Sequence, residues 1–134
     1  MTRVLLDANV IISALLFPGS TPDQVVRLVL DEYELVLTDW IIEELRAVVL
    51  RKRPDLLPHL EEFLAGIDPV IASVGTSTVS ISDPAHQPIL DAALSGEVDV
   101  LVSGDKHFLS LVLDRLNIVT ARAFLDSHTE GRGF

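Results

Sequence analysis

Short unbroken runs of apolar residues alternate along the chain with segments whose apolar residues recur every three or four positions. The runs read as buried strands and the recurring pattern as amphipathic helices. Residues 3–7 (RVLLD) read as a first strand, and residues 9–16 as a short helix closed by Pro18-Gly19. Thr21-Pro22-Asp23 opens a second helix reaching about Asp31, with Thr21 as N-cap and Pro22 at the first helical position. A second strand is expected over 33–38 (YELVLT), and Asp39 opens a helix that runs to Lys52. Pro54 and Pro58 bracket the start of a helix over 56–66, and 68–74 (DPVIASV) reads as a third strand. The Ser/Thr-rich stretch 75–82 carries no helical signal, whereas 88–96 reads as a helix stopped by Gly96. A fourth strand (98–103, VDVLVS), a helix (106–115), a fifth strand (117–121, NIVTA) and a short helix (122–127) complete the pattern.

Repeated strand-helix units with continuously apolar strands imply a parallel sheet covered by helices on both faces. The expected architecture is one α/β sandwich domain over 1–127, with no repeat, low-complexity tract or linker. The tail from His128 (HTEGRGF) has no core to join and is expected to fray.

Composition narrows the function. With 134 residues, 49% of them hydrophobic, the chain can bury a real core, and aromatics at 5% make that core aliphatic. The absence of cysteine excludes disulfides and thiolate metal sites. A net charge of −10 argues against a broad phosphate-binding surface, but not against an acidic site that meets phosphate through a cation. The apolar run 4–17 resembles a signal peptide only superficially, because Asp7 and Asn9 interrupt it and no small-residue cleavage pattern follows. No uninterrupted apolar stretch is long enough for a membrane span, so a cytoplasmic protein without membrane association is expected.

The candidate chemistry lies in acids at strand ends. In open parallel sheets, ligands bind beyond the carboxyl ends of the strands. Asp7 ends the first strand, and Asp105 follows the fourth by two residues in VLVSGDKHF. Each could simply cap the helix after it; two acids at equivalent strand ends favour a shared site. On helix 39–52, Ile41, Ile42, Leu45, Val48 and Val49 form one apolar face at about 100° per residue. Glu43 then points into water, while Glu44 sits on the shoulder of that face, as either a solvated border residue or a third acid directed to the strand edge.

Four segments carry a family resemblance: VLLDANVIISALLFPGSTP, LVLTDWIIEELRAVV, DPAHQPILDAAL and VDVLVSGDKHFL. Together they resemble the PIN-domain family, in its branch of toxin components of toxin–antitoxin systems, the VapC-like ribonucleases. The likeness spans residues 3–126. It implies a three-layer α/β/α sandwich with a parallel, roughly five-stranded sheet, and a Mg²⁺- or Mn²⁺-dependent endoribonuclease. It also implies an RNA substrate and a cognate antitoxin protein as partners, and a homodimer as a common state. Carried over by position, the family's acids fall on Asp7, Glu44 and Asp105, which should converge as catalytic and metal-binding groups at the C-terminal edge of the sheet. Ser103 matches a Ser/Thr position beside the metal, and Asn9 is a further candidate in the surrounding shell. Mg²⁺ takes oxygen ligands, usually one or two carboxylates plus waters and phosphate.

The third acidic motif departs from the family pattern. It usually reads D-P-x-D before the helix; here it reads Asp83-Pro84-Ala85-His86-Gln87, with His86 where an acid is expected. Imidazole suits Mn²⁺ or Zn²⁺ better than Mg²⁺. Asp83 and Asp91 are the acids nearby that could compensate, unless they serve only as an N-cap and a solvated helix residue. The alternative reading is therefore a weakened or inactive PIN-like binding or scaffold module. A phospho-acceptor receiver domain fits less well, because the third strand has no terminal Asp. Arg46, Arg51, Lys52 and Arg53 cluster toward one helix end, either as complements to the helix dipole or as RNA-backbone contacts, and Lys106 beside Asp105 is a further phosphate candidate.

Overall fold

The computed structural model describes residues 2–72, 87–95, 97–111, 113 and 116–129. Five parallel strands form one sheet: β1 (Arg3–Leu6), β2 (Glu34–Leu37), β3 (Val70–Ile71), β4 (Val100–Val102) and β5 (Asn117–Val119). Their order is β3-β2-β1-β4-β5, which puts β1 in the centre. Leu5 pairs with Val36 of β2 on one side and Leu101 of β4 on the other. From β1 the chain winds outward through β2 and β3, then crosses back to lay β4 on the other side of β1. The winding direction therefore reverses between β1 and β4. At such a switch point the two crossovers leave in opposite directions and open a crevice at the carboxyl ends of the strands.

The helices are α1 (Ala8–Leu16), α2 (Thr21–Glu32), α3 (Asp39–Lys52), α4 (Leu57–Gly66), α5 (Gln87–Ser95), α6 (Lys106–Leu109) and α7 (Ala121–Thr129). They cover the sheet as the outer layers of an α/β/α sandwich, the fold class that the hydropathy pattern predicts. The apolar strands explain the arrangement: Val4, Leu5, Leu6, Val100, Leu101 and Val102 are all fully buried, so both faces of the sheet must be covered. Phe108 and Phe124 are the largest fully buried side chains in an otherwise mainly aliphatic core.

Several boundaries differ from expectation, each for a local reason. Ser20, not Thr21, caps α2: its Oγ accepts from the Asp23 N–H at 3.4 Å, and Pro22 falls one position deeper in the first turn, where no N–H is needed. Gly19 supports the preceding turn with a φ of +83°, a conformation that costs glycine little. A 3₁₀ turn over Pro54–Leu56 precedes α4, so the helix proper starts at Leu57. β3 begins only after Pro69, which cannot donate to the ladder. α6 is a single turn ending at Leu109, where the Leu111 N–H bonds to the Phe108 carbonyl and tightens the chain out of the α-geometry; residues 112, 114 and 115 of the expected helix lie outside the described residues.

The C-terminal helix runs longer than expected, to Thr129. His128 does have something to join: its Nδ1 lies 3.1 Å from the Tyr33 hydroxyl and its Nε2 2.9 Å from Glu32 on α2. Tyr33 also packs against Phe124, with ring centroids 5.2 Å apart. Burial, and secondarily the Glu32 charge, raise the Tyr33 phenol above its ordinary pKa. Residues 130–134 of the tail lie outside the described residues.

The central strand should dominate stability. Leu5 is fully buried between two paired strands, so Leu5→Ala is expected to cost about 2–5 kcal/mol in urea denaturation. A loss under about 1 kcal/mol would mean that the β1 core tolerates a void as small as a surface site does.

Candidate active site at the sheet switch point

Asp7 directly follows β1 and occupies the N-cap position of α1, in extended conformation with φ −63° and ψ 148°. An Asp there ordinarily accepts a hydrogen bond from the first turn of its helix. Asp7 does not: its side chain makes no capping bond. Instead its Oδ2 accepts from the Ser103 hydroxyl at 2.9 Å, across the β1–β4 boundary. Asp7 is 1% exposed and Ser103 fully buried, so this is a carboxylate held inside the protein next to the switch point. Oδ1 is buried as well and takes no hydrogen bond among the described residues.

Ser103 ties the second acid into the same arrangement. Its Oγ accepts from the backbone N–H of Asp105 at 3.0 Å while donating to Asp7. One hydroxyl thus uses donor and acceptor together and sets the loop after β4 against the end of β1. The strand ladder supports it from below, through the Asp7 N–H to the Val102 carbonyl and the Ser103 N–H to the Val119 carbonyl, both 3.0 Å. Asp105 itself is half-buried, and its carbonyl accepts from Phe108 and Leu109 to start α6.

Glu44 stands on α3, the helix that follows β2 on the other side of β1. Thr38, fully buried, ends β2 and caps α3 by accepting from the Ile41 N–H at 3.0 Å. α3 therefore starts at the carboxyl edge, and Glu44 lies in its second turn. Ile41, Leu45 and Val49 face the core, Glu43 is exposed and Glu44 half-buried, which is the shoulder position that the spacing predicts. Asp7 and Asp105 thus stand at the carboxyl edge, and Glu44 in the second turn of a helix that starts there. Among the described residues no three His, Cys, Asp or Glu side chains are grouped closely enough to hold a metal ion. Like charges repel unless a cation neutralises them, and the Ser103 bond fixes Asp7 on the β4 side.

The remaining candidates divide. Asp83 and His86 lie outside the described residues. Gln87 and Asp91, both half-buried on α5, bond to each other through Gln87 Nε2 and Asp91 Oδ1 at 2.8 Å, so Asp91 is not a freely solvated helix residue. Asn9 is exposed beside Asp7 and, with Val10, Ser13, Pro22, Gly104 and Ala121, lines a pocket of about 160 Å³ next to the strand ends. Lys106 is exposed at the start of α6.

Arg46 has a structural occupation. Its guanidinium grips Glu61 of α4 through two bonds of 2.7 and 3.2 Å, and this holds the Glu61 carboxyl below its ordinary pKa. Arg53 is bound likewise to Asp55, at 2.9 and 3.0 Å. Trp40 is half-exposed one turn before Glu44.

Residues 3–107 match the family described as PIN domain, and the chain belongs to that family. Two solved structures share its fold. VapBC2 from Rickettsia felis, crystallised with a DNA fragment from the promoter, aligns over 87% of this chain and 97% of its own at 12% identity, with a TM-score of 0.65. The RRP44 PIN domain of T. brucei aligns over 97% of this chain and 82% of its own at 16% identity, with a TM-score of 0.57. No curated protein sequence matches the chain.

The Ser103 bridge can be tested in metal-free buffer. Ser103→Ala deprives a buried carboxylate of its donor, so a loss of about 1–3 kcal/mol is expected in urea denaturation. Unchanged stability would show that the bridge does not hold the two strand ends.

Proposed function

We propose that this PIN-domain protein is a divalent-metal-dependent endoribonuclease and the toxin half of a toxin–antitoxin pair. One observation carries the reading: Asp7 sits where a capping side chain belongs, yet it is turned inward and held by Ser103 beside the loop of Asp105. A fold that buries a carboxylate without using it as a cap bears a desolvation cost, and a bound cation would offset it.

The donor set fits such an ion. Asp7, Asp105 and Glu44 offer only hard oxygen atoms, which suit Mg²⁺ or Mn²⁺, and these ions need only one or two carboxylates with water and phosphate completing the shell. When bound, the metal supplies neutralisation of the acids, polarisation of a phosphate oxygen and a more acidic water. The chain's own residues do the rest. Ser103 keeps the Asp7 carboxylate oriented, its bond to the Asp105 N–H keeps the second acid at the same crevice, and α3 brings Glu44 from across β1. Asp91 on α5 is a further candidate for completing the site, with Asp83 and His86, which precede that helix in sequence. The toxin assignment and the antitoxin partner rest on the resemblance and on the shared fold with the VapBC2 complex.

The direct test is cleavage of structured and single-stranded RNA with Mn²⁺ or Mg²⁺. Activity is expected with either ion, none in EDTA, and a fall of at least about 100-fold in Asp7→Asn and Asp105→Asn, the scale typical for loss of an electrostatic catalytic group. Metal-independent cleavage, or full activity in Asp7→Asn, would contradict the reading. An absence of cleavage under all conditions, with RNA still bound, would favour the inactive binding module that His86 suggests.

His86 permits a second expectation. With an imidazole in place of one acid, the site should prefer Mn²⁺ over Mg²⁺, and His86→Asp should tighten Mg²⁺ binding in calorimetric titration. Unchanged affinity would mean that position 86 takes no part in the site.

A further inference from the structure

The reading of an RNA substrate raises a physical difficulty. Single-stranded RNA is usually held by basic side chains along its backbone, but this chain has 10 Lys and Arg against 20 Asp and Glu. Among the described residues, Arg3, Arg27, Arg46, Arg53 and Arg122 are already paired with acids. That pairing leaves less cationic surface for phosphates, with Arg51, Lys52 and Lys106 exposed among the described residues. A bound cation, and contacts that do not depend on charge, would add to what these side chains supply.

Trp40 supplies such a contact. It is the only tryptophan in the chain and keeps 45% of its surface exposed. It stands in the first turn of α3, immediately after the carboxyl end of β2, at the edge that also carries Asp7 and Asp105. Four residues separate it from Glu44, so the two lie on the same side of the helix, about 40° apart around its axis. That side is turned away from α4, because Arg46, on the opposite shoulder, is the residue that reaches Glu61. Among the described residues, the other exposed large aromatic is Phe17, which lies past the far end of α1, away from Asp7.

We propose that Trp40 is a stacking platform for an unpaired base of the RNA substrate, holding the strand beside the acids of the sheet edge. The inference rests on the nuclease reading and adds to it a specific contact, between the Trp40 indole and one base of the strand that is free to stack. Indole stacking is tolerant of base identity and insensitive to the protein's negative charge. It operates at a distance from the scissile bond and is equally strong before and during the reaction. Trp40 is accordingly a binding residue, and its loss should act on KM rather than kcat.

As the only tryptophan, Trp40 reports on itself. The full-length protein is titrated with a short unstructured RNA in Ca²⁺ while intrinsic fluorescence is followed, with an abasic strand of the same length as control. Cleavage kinetics are measured in parallel with Mn²⁺. The expected results are saturable quenching by RNA, weaker quenching by the abasic strand, and a KM raised about ten-fold in Trp40→Ala with kcat nearly unchanged. Trp40→Phe should restore most of the affinity, and the salt dependence of binding should be the same in both variants, since no phosphate contact is lost. Efficient Mn²⁺-dependent cleavage without quenching, and with KM unchanged in Trp40→Ala, would overturn the stacking role and leave the nuclease reading intact. Failure of the wild-type chain to bind or cleave RNA would overturn both. An emission shift that depends on protein concentration in the absence of RNA would assign Trp40 to a contact between copies of the chain and overturn the proposal.

Discussion

The site depends on one hydroxyl shared between two strands. Ser103 donates to the buried Asp7 carboxylate and accepts from the Asp105 backbone N–H, so the ends of β1 and β4 are joined where the sheet changes winding direction. Without it, the inward rotamer of Asp7 would have a weaker hold and the carboxylate could turn toward the N–H groups of α1, as capping acids do. The interaction thus opposes a locally favourable alternative. Such conflicts between local preference and observed structure are expected where a site has been built at some cost to stability.

Much of this arrangement was legible in the sequence because it follows from short-range rules. Continuous apolar strands interleaved with amphipathic helices required a parallel, doubly covered sheet, and the placement of Asp7 and Asp105 at its carboxyl edge followed from strand polarity. The shoulder position of Glu44 followed from helical periodicity alone. Boundaries fared less well wherever two neighbouring residues could do the same job, as with Ser20 and Thr21, both chemically eligible to cap α2. The extra turn at the C-terminus depends on Tyr33 and Glu32, which are 95 residues or more from His128 in sequence. No local pattern carries such a contact. For the same reason the bond from Ser103 to Asp7 could not be worked out from spacing, since the two are 96 residues apart.

Charge gives the site its second constraint. A strongly acidic chain gains solubility but repels a polyanion, and most of the described arginines are engaged in surface pairs. Such pairs contribute modestly to stability, yet they take guanidinium groups out of competition for phosphate. What the edge of the sheet offers instead is a set of oxygen donors for a hard cation, a half-exposed indole and a small pocket beside Asn9. Under the proposed function, recruitment of RNA would be helped by the metal, which would offset part of that repulsion.

The central claim is that Asp7 is buried in order to hold a divalent cation, and thermal unfolding with and without Mn²⁺ tests it most directly. A ligand that binds only the folded state stabilises it by about 2.7 kcal/mol at a hundred-fold excess over Kd, which for a chain of this size raises Tm by several degrees. The wild-type protein should show that rise. Asp7→Asn should lose it, while melting in EDTA no lower than the wild type, since it no longer buries a charge. A wild-type Tm indifferent to Mn²⁺, or an equal rise in Asp7→Asn, would contradict the account.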